Sequence, residues 1–222
     1  MVFVILFSVN YFYLVKLKYN NMKRSVKIFG IAIAVLFAAM LSEAQTKWKV
    51  DHAHSGIKFT VTHLVISEVE GSFKKFDGLM ETSGEDFTGA KISFSADIAS
   101  ISTDNDQRDG HLKSDDFFNA EKFPKMTFRS NSFRKLKDNK YQLKGDLTIR
   151  DITKPVTFDV TYGGTMKDPW GNTHAGFKAT TTINRFDYNL KWNTLTEAGG
   201  AVVGKDVEIK VNVEFIPEQA KN

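Results

Sequence analysis

Two histidines near residue 50 are the first side chains that could perform chemistry, in the segment Asp51-His52-Ala53-His54. At the two-residue spacing of a strand, both imidazoles would point to one side and could share a metal ion. Such a site needs a third and a fourth ligand, whereas His63, His111 and His174 are scattered along the chain. We therefore interpret the pair as exposed or hydrogen-bonded histidines and expect no metal centre.

A second chemical group is Arg108-Asp109-Gly110-His111, which brings an acid, a base and an imidazole close together. His111 could transfer protons in a reaction on a bound molecule. The sequence contains no G-x-S-x-G or H-E-x-x-H motif and no cysteine to provide a nucleophile or a thiolate metal site. The favoured interpretation is a set of ion pairs and hydrogen bonds that holds a short helix, with no catalytic residues.

The charge distribution argues against a nucleic-acid partner. The chain has 30 Lys and Arg residues against 26 Asp and Glu residues, for a net charge of +4. Residues 1–44 contain five of the basic groups and one acidic group, which accounts for the whole excess. Residues 45–222 are therefore neutral and lack the basic surface that a phosphate backbone selects.

Residues 22–44 have the three parts of a secretory signal peptide. Met22-Lys23-Arg24 opens a charged segment, residues 28–41 are apolar, and Ser42-Glu43-Ala44 fits a cleavage site. The apolar run is shorter than the ~20 residues of a membrane-spanning helix. We expect cleavage near Ala44 and a periplasmic or secreted protein. Residues 1–21 are a second apolar run that no positive charge precedes, so we predict an upstream extension of the reading frame.

The elements that must position these groups are strands, because apolar residues recur with a period of two from Lys47 onwards. The strictest alternation covers residues 206–215. The other predicted strands are residues 55–64, 68–76, 91–98, 125–130, 132–136, 141–149, 155–162 and 174–183. Asp77-Gly78 and Gly163-Gly164 are among the turn signals that separate them. One helix is predicted over residues 105–113, with Asp104 as its cap.

About eight or more strands with one apolar face predict an all-β fold, either a closed barrel or a sandwich. The shortage of helix to cover an open sheet favours closure around an interior. A barrel of about eight strands either fills that interior with its own side chains or holds one small ligand. Residue periodicity does not distinguish the two, because a packed core and an apolar pocket have the same pattern.

The chain from Trp48 to its C-terminus resembles the polyisoprenoid-binding YceI-like family. Among the segments that carry the resemblance are Trp48-x-Val50-Asp51-x-x-His54-Ser55, Arg108-Asp109-x-His111-Leu112-x-Ser114-x-x-Phe117-Phe118 and Gly145-Asp146-Leu147-Thr148-Ile149-Arg150-Asp151-Ile152-Thr153-Lys154-Pro155-Val156. The resemblance implies that residues 45–222 form an antiparallel, lipocalin-like barrel of about eight strands with one short helix. It also implies export, homodimers and no established enzymatic activity.

In this family, the barrel interior holds a long apolar lipid such as a polyisoprenoid or an isoprenoid quinone, for transport or storage. The resemblance implies the same ligand here, no other cofactor, and transient contact with a membrane. Strand phase predicts the side chains that would line the cavity: Ile57, Phe59, Val61, Ile92, Phe94, Ile98, Phe128, Phe158, Phe177, Val211 and Val213.

The polar head of such a lipid has three candidate contacts, Arg108, His111 and Arg185, because arginine suits phosphate. Two other functions remain open at this point. One is an enzyme that acts on the bound lipid through Asp109 and His111. The other is a structural or stress-response barrel that is filled by its own side chains and binds no ligand.

Overall fold

The computed structural model describes residues 45–84, 86–197 and 199–218. The predicted upstream extension, the predicted signal peptide and its cleavage site at Ala44 lie outside the described residues. Within these ranges, no helix is long and apolar enough to cross a membrane.

In the described part of the chain, eleven antiparallel strands make up one sheet. In chain order they are β1 (Thr46–Val50), β2 (Gly56–His63), β3 (Ser67–Phe73), β4 (Phe76–Thr82), β5 (Lys91–Asp97), β6 (Ile101–Ser102), β7 (Lys125–Lys135), β8 (Lys140–Ile149), β9 (Ile152–Lys167), β10 (Thr173–Asn184) and β11 (Val203–Pro217). The α-helix α1 spans Asp106–Lys113, and 3₁₀ turns cover Ile98–Ser100 and Arg185–Tyr188.

Eight of the strands close into a barrel in the order β1-β4-β5-β7-β8-β9-β10-β11, because β11 pairs back with β1. The closing contact is short and sets Val50 opposite Phe215. The other half of β11 pairs with β2, which carries β3 and β6 as an extension of the sheet. The predicted antiparallel barrel of about eight strands is confirmed.

Two of the predicted turns are wrong, because the glycines that predict them lie inside strands. Asp77-Gly78 lies inside β4, where the absence of a side chain lets the ring of Phe94 approach closely. Gly163-Gly164 lies inside β9, next to a shift of its register with β10. Glycine inside a strand often marks a bulge or a place where another group approaches the backbone closely. Neither of these two glycine positions ends its strand.

Other boundaries also differ from the predictions. Residues 125–130 and 132–136 belong to the single strand β7, whose register with β8 shifts between Ser130 and Ser132. The predicted strand 68–76 is divided between β3 and β4. Asn105, rather than the predicted Asp104, caps α1 by accepting a hydrogen bond from the Arg108 amide at 2.9 Å.

Candidate functional site

Two apolar cavities lie along the interior of the barrel. The upper cavity, bordered by Phe94 and Phe177 among others, has a volume of about 90 Å³. The lower cavity, bordered by Phe59 and Phe117 among others, has a volume of about 80 Å³. Three side chains border both cavities and so form the partition between them: Ile57, Met126 and Ile209.

Ten of the eleven residues that strand phase predicts for the lining border one or both cavities. They are Ile57, Phe59, Val61, Ile92, Phe94, Phe128, Phe158, Phe177, Val211 and Val213. Ile98 borders neither cavity, although it is only 2% exposed. Strand β5 ends at Asp97, whose side chain caps the following 3₁₀ turn, so the two-residue alternation no longer applies at Ile98.

Three phenylalanine rings of the lining lie flat against glycines of neighbouring strands. A Cβ atom at Gly78 would come within 2.6 Å of the Phe94 ring, and one at Gly71 within 2.2 Å of the Phe59 ring. The Phe128 ring covers Gly145 in the same way, at 2.5 Å. Each glycine therefore lets a ring lie along the barrel wall. This arrangement keeps the aromatic surface in the lining and leaves space near the axis.

The two cavities together do not hold a long lipid in this conformation. Each is smaller than the roughly 150 Å³ cavity that accommodates a benzene molecule. A chain of many isoprene units needs several times this volume, so lining side chains must move when such a ligand enters. The barrel is thus neither a fully packed core nor an open tunnel.

One end of the barrel is closed by aromatic side chains, and we call it the aromatic end: Trp48, Phe87, Tyr162 and Phe177. The ring of Phe87 is buried, with its centroid 5.5 Å from Trp48, 5.4 Å from Tyr162 and 5.2 Å from Phe177. Phe87 belongs to the loop between β4 and β5 and has a φ of +60°. Apolar contact between rings holds this loop over the upper cavity.

The opposite end, which we call the arginine end, is built around Arg185. Phe177 and Arg185 are eight residues apart along β10 and its continuation, about 26 Å in an extended strand. The Arg185 side chain borders the lower cavity, and the residue is 2% exposed. Its guanidinium donates hydrogen bonds to four backbone carbonyl groups, at 2.6 to 3.0 Å: Leu190, Trp192, Val203 and Gly204.

Arg185 is a buried cation whose partners are all neutral. Among the described residues, no carboxylate lies within ion-pair distance of its guanidinium, which stacks 4.3 Å from the Phe186 ring centroid. Burial lowers the pKa of Arg185 and raises the pKa of the neighbouring Tyr188 to about 12. Desolvation is the main cause of both shifts, since it disfavours the charged form of each group, and the negative charge of Asp187 further raises the pKa of Tyr188.

Arg150 also stabilises the arginine end, a role that the sequence did not predict. Its guanidinium donates to the carbonyl groups of Asp115, Phe117 and Asn189 and forms an ion pair with the Asp115 carboxylate at 3.1 Å. Arg150 thereby fixes the segment that contributes Phe117 to the lower cavity. Its position between the predicted strands 141–149 and 155–162 gave no sign of this role, because the partners are distant in sequence.

Of the three predicted head-group contacts, Arg185 borders a cavity, whereas Arg108 and His111 border neither. Arg108 is exposed and donates to the hydroxyl and carbonyl groups of Thr103. Nε2 of His111 lies 2.9 Å from an Asp116 carboxylate oxygen. The His111 ring packs edge-on against two aromatic rings, those of Phe117 and Trp192.

Asp109 and His111 do not form the acid–base pair on which an enzymatic function would depend. Asp109 is buried and accepts hydrogen bonds from the amide and hydroxyl of Thr103, at 2.8 and 2.6 Å. His111 is paired with Asp116 instead. Both residues therefore hold α1 and the following turn in place, as the favoured interpretation of this segment expects.

The two histidines of Asp51-His52-Ala53-His54 lie in the loop between β1 and β2, and their rings bind different partners. His52 Nε2 lies 2.9 Å from the Phe76 carbonyl oxygen, whereas His54 Nδ1 lies 2.7 Å from Asp51 Oδ2. The strand spacing assumed for the pair is wrong because β1 ends at Val50 and β2 begins at Gly56.

A family model described as the YceI-like domain matches residues 48–215 of the chain. A UPF0312 protein of Staphylococcus aureus strain bovine RF122 / ET3-1 is 42% identical over 171 residues, which are 77% of this chain and 97% of the relative. The residues that the family model matches run from β1 to β11, the first and last strands of the barrel.

Solved structures with this fold include the Campylobacter jejuni YCEI protein, with a TM-score of 0.60, 31% identity and coverage of 72% of this chain and 90% of that one. Burkholderia cenocepacia BcnA has a TM-score of 0.65 and 24% identity, covering 74% and 98%. A polyisoprenoid binding domain of Saccharophagus degradans has a TM-score of 0.55 and 14% identity, covering 77% and 98%.

Proposed function

The chain belongs to the YceI-like domain family, and on that basis we propose that it is a non-catalytic carrier or store for a long apolar lipid. The two aligned apolar cavities inside the closed barrel carry this proposal. The solved domain of Saccharophagus degradans that shares the fold is described as polyisoprenoid-binding. A polyisoprenoid or an isoprenoid quinone is the ligand class that fits a narrow, apolar and elongated interior.

Apolar burial provides the driving force for binding. A ligand that buries roughly 600 Å² gains about 15 kcal/mol at ~25 cal/mol per Å². Ordering the chain and restricting its motion offset much of this gain. Affinity in the micromolar to nanomolar range is therefore expected, with weak discrimination between chains, since one methylene changes binding by only ~1–3 kcal/mol.

The head of the lipid would lie at the arginine end. Arg185 borders the lower cavity and has an uncompensated positive charge, which favours a phosphate or a polarised carbonyl oxygen nearby. The aromatic end offers only apolar rings to the interior and suits the tail. Arg108 and His111 would contribute to the arginine end through the structure of α1 and its turn.

Transient membrane contact would occur through the apolar tip, which we define as Leu64, Val65, Ile66 and Leu195. Val65 and Ile66 are 68% and 86% exposed, between β2 and β3. Val65 has a φ of +65°, which is unfavourable for a β-branched residue. Strand β2, which leads into the tip, contributes Phe59 and Val61 to the lower cavity, so lipid contact here lies close to the interior.

We extend the proposal to the location and assembly of the protein. Residues 22–44 would direct export and be removed near Ala44, which places the carrier between membranes or outside the cell. The intact mass of the native protein checks this processing. A homodimer is also proposed, and sedimentation equilibrium of the lipid-loaded protein measures it.

Extraction of the protein purified from its full-length gene, followed by mass spectrometry, tests the proposal. We expect about one isoprenoid chain per barrel. Phe94→Asp places a charge in the upper cavity and should abolish lipid retention, whereas Lys91→Asp, exposed on the same strand, should leave it unchanged. Val211→Phe narrows the cavity without a charge and provides a second test if the first variant does not fold.

Two outcomes would overturn the carrier function. One is an extract without lipid even after incubation with menaquinone and octaprenyl pyrophosphate. The other is equal lipid retention in the folded Phe94→Asp and Lys91→Asp variants. Retention of menaquinone but not of octaprenyl pyrophosphate would support the carrier function and contradict the role of Arg185 in binding phosphate.

A further inference from the structure

A cluster of imidazole and carboxylate groups lies on the outer wall of the barrel, separate from both cavities. One ligand atom each of Asp51, His54 and Glu214 lies within 4.8 Å of the others. His54 Nδ1 is 2.7 Å from Asp51 Oδ2 and 4.0 Å from Glu214 Oε2. The three side chains therefore converge on one point, and none is engaged with the cavity lining.

His174 adds a fourth ligand atom to this cluster. Its Nδ1 lies 3.3 Å from Glu214 Oε2 and 4.0 Å from Asp51 Oδ2. The same nitrogen is buried and has no hydrogen-bond partner. A buried polar atom without a partner is costly, and each such atom needs an explanation. A bound cation would supply the missing partner of His174 Nδ1.

The fold fixes the positions of these side chains. On β10 and β11, His174 and Glu214 point outward because their neighbours Ala175 and Phe215, which pair with each other, are buried in the interior. The loop between β1 and β2 is held against β11 by a hydrogen bond of 2.8 Å from the Asp51 amide to the Glu214 carbonyl oxygen. Three separate segments of the chain thus meet at the cluster.

A further carboxylate orients the His174 ring. His174 Nε2 lies 3.3 Å from Asp168 Oδ2. In the tautomer that carries its proton on Nε2, this nitrogen donates to Asp168 and the Nδ1 lone pair is directed towards the cluster. Asp168 is itself held by the amides of Trp170 and Asn172, at 2.9 and 2.8 Å. A carboxylate that receives the second ring nitrogen of a histidine is the usual support for a metal-binding imidazole.

We propose that these four side chains bind a divalent transition-metal ion, with zinc as the best match: Asp51, His54, His174 and Glu214. The four separations between these ligand atoms, 2.7, 3.3, 4.0 and 4.0 Å, lie on either side of the ligand spacing of about 3.4 Å in a tetrahedral zinc site. Two carboxylates and two neutral imidazoles balance the charge of the ion. The mixture of nitrogen and oxygen ligands favours zinc over magnesium or calcium.

Occupation of the site would tie the loop between β1 and β2 to two strands of the barrel at its aromatic end. The ion can reach the site because the His54 side chain is 62% exposed. His52 stands two residues away in the same loop and binds the Phe76 carbonyl oxygen instead of the cluster. It therefore provides a matched control for loss of a nearby exposed imidazole.

Calorimetric titration of the purified, metal-stripped protein with zinc chloride tests the proposal. We expect one ion per chain, affinity at least 10-fold weaker in His174→Ala and in His54→Ala, and about 10-fold weaker in Asp168→Asn. His52→Ala should bind zinc as the unaltered protein does. Zinc should also raise the thermal unfolding temperature of the unaltered protein, with a smaller increase in His174→Ala.

Cobalt(II) supplies a second readout, since a tetrahedral site gives strong visible absorption. Intense bands in the unaltered protein that disappear in His54→Ala would support the assignment, and folding of this exposed variant is checked by circular dichroism. The proposal is overturned by substoichiometric zinc, or by affinity equal to that of the unaltered protein in folded His174→Ala and His54→Ala. An equal loss of affinity in His52→Ala would also overturn it. Lipid content is measured separately and does not depend on this site.

Discussion

The two ends of the barrel are closed by different physical means. At the aromatic end, Phe87 fills the space between Trp48, Tyr162 and Phe177, and contacts between rings dominate. At the arginine end, Arg185 closes the interior with four hydrogen bonds to backbone carbonyl groups. Apolar contacts are non-directional and tolerate displacement, whereas a buried charge holds its partners in a defined geometry.

This difference indicates which end can open. The loop that carries Phe87 can move at the cost of apolar contacts, part of which a lipid tail would replace. Movement of Arg185 would leave a cation and four carbonyl groups without partners inside the protein. We therefore expect the arginine end to be rigid and the aromatic end to adapt to ligands of different length.

The largest effect is expected from removing the charge at the arginine end. Arg185→Met leaves four backbone carbonyl groups unsatisfied and should lower the free energy of unfolding by about 4 kcal/mol. Urea unfolding measures this change. Arg108→Met is the matched control, since Arg108 is exposed and its guanidinium donates hydrogen bonds to Thr103; it should cost at most about 1 kcal/mol. Equal losses would show that the buried hydrogen bonds of Arg185 contribute no more to stability than those of an exposed arginine.

A smaller loss is expected at the aromatic end. Phe87→Ala removes a buried ring and should lower the free energy of unfolding by about 3 kcal/mol. It should also speed the release of bound menaquinone, because the loop over the upper cavity loses its anchor. Stopped-flow measurement of release tests this, with Leu136→Ala as a control at an exposed position. Unchanged release would mean that the lipid leaves elsewhere.

The smallest effect concerns pH and again involves the arginine end. Burial raises the pKa of Tyr188 to about 12, above the value of 10 in an unfolded chain. The neutral phenol is therefore favoured in the folded state, and its stabilisation is complete below pH 10 and lost as pH rises towards 12. We expect a loss of about 2 kcal/mol across this interval. Tyr188→Phe should lack that part of the pH dependence, and identical profiles for both proteins would contradict the prediction.

Much of the lining could be predicted because alternation fixes the face of a strand residue wherever the strand is regular. Phe94 and Phe158 border the upper cavity as their phase predicts. Ile98 fails because the strand ends one residue earlier. The predicted turn at Asp77-Gly78 is wrong because glycine is typical both of turns and of strand positions that another side chain approaches closely.

Polar contacts were harder to predict than apolar ones. Arg150 binds residues more than thirty positions away in the sequence. His174, Asp51 and Glu214 lie close together although each belongs to a different segment of the chain. The sequence motif pairs His52 with His54, whereas the fold brings His54 and His174 to the same cluster. Such pairings depend on sheet register and loop paths, which local sequence does not specify.

Local pattern alone therefore determined the all-β class and the inward faces of the strands, because both follow from alternation along one strand. The resemblance of particular motifs added the closed, lipocalin-like barrel. Tertiary structure alone decided that the interior is two small cavities divided by Ile57, Met126 and Ile209. It also decided that Arg185 donates to four backbone carbonyl groups and that His174 joins an outer cluster. These features depend on volumes and directions set by distant segments, which a local pattern does not contain.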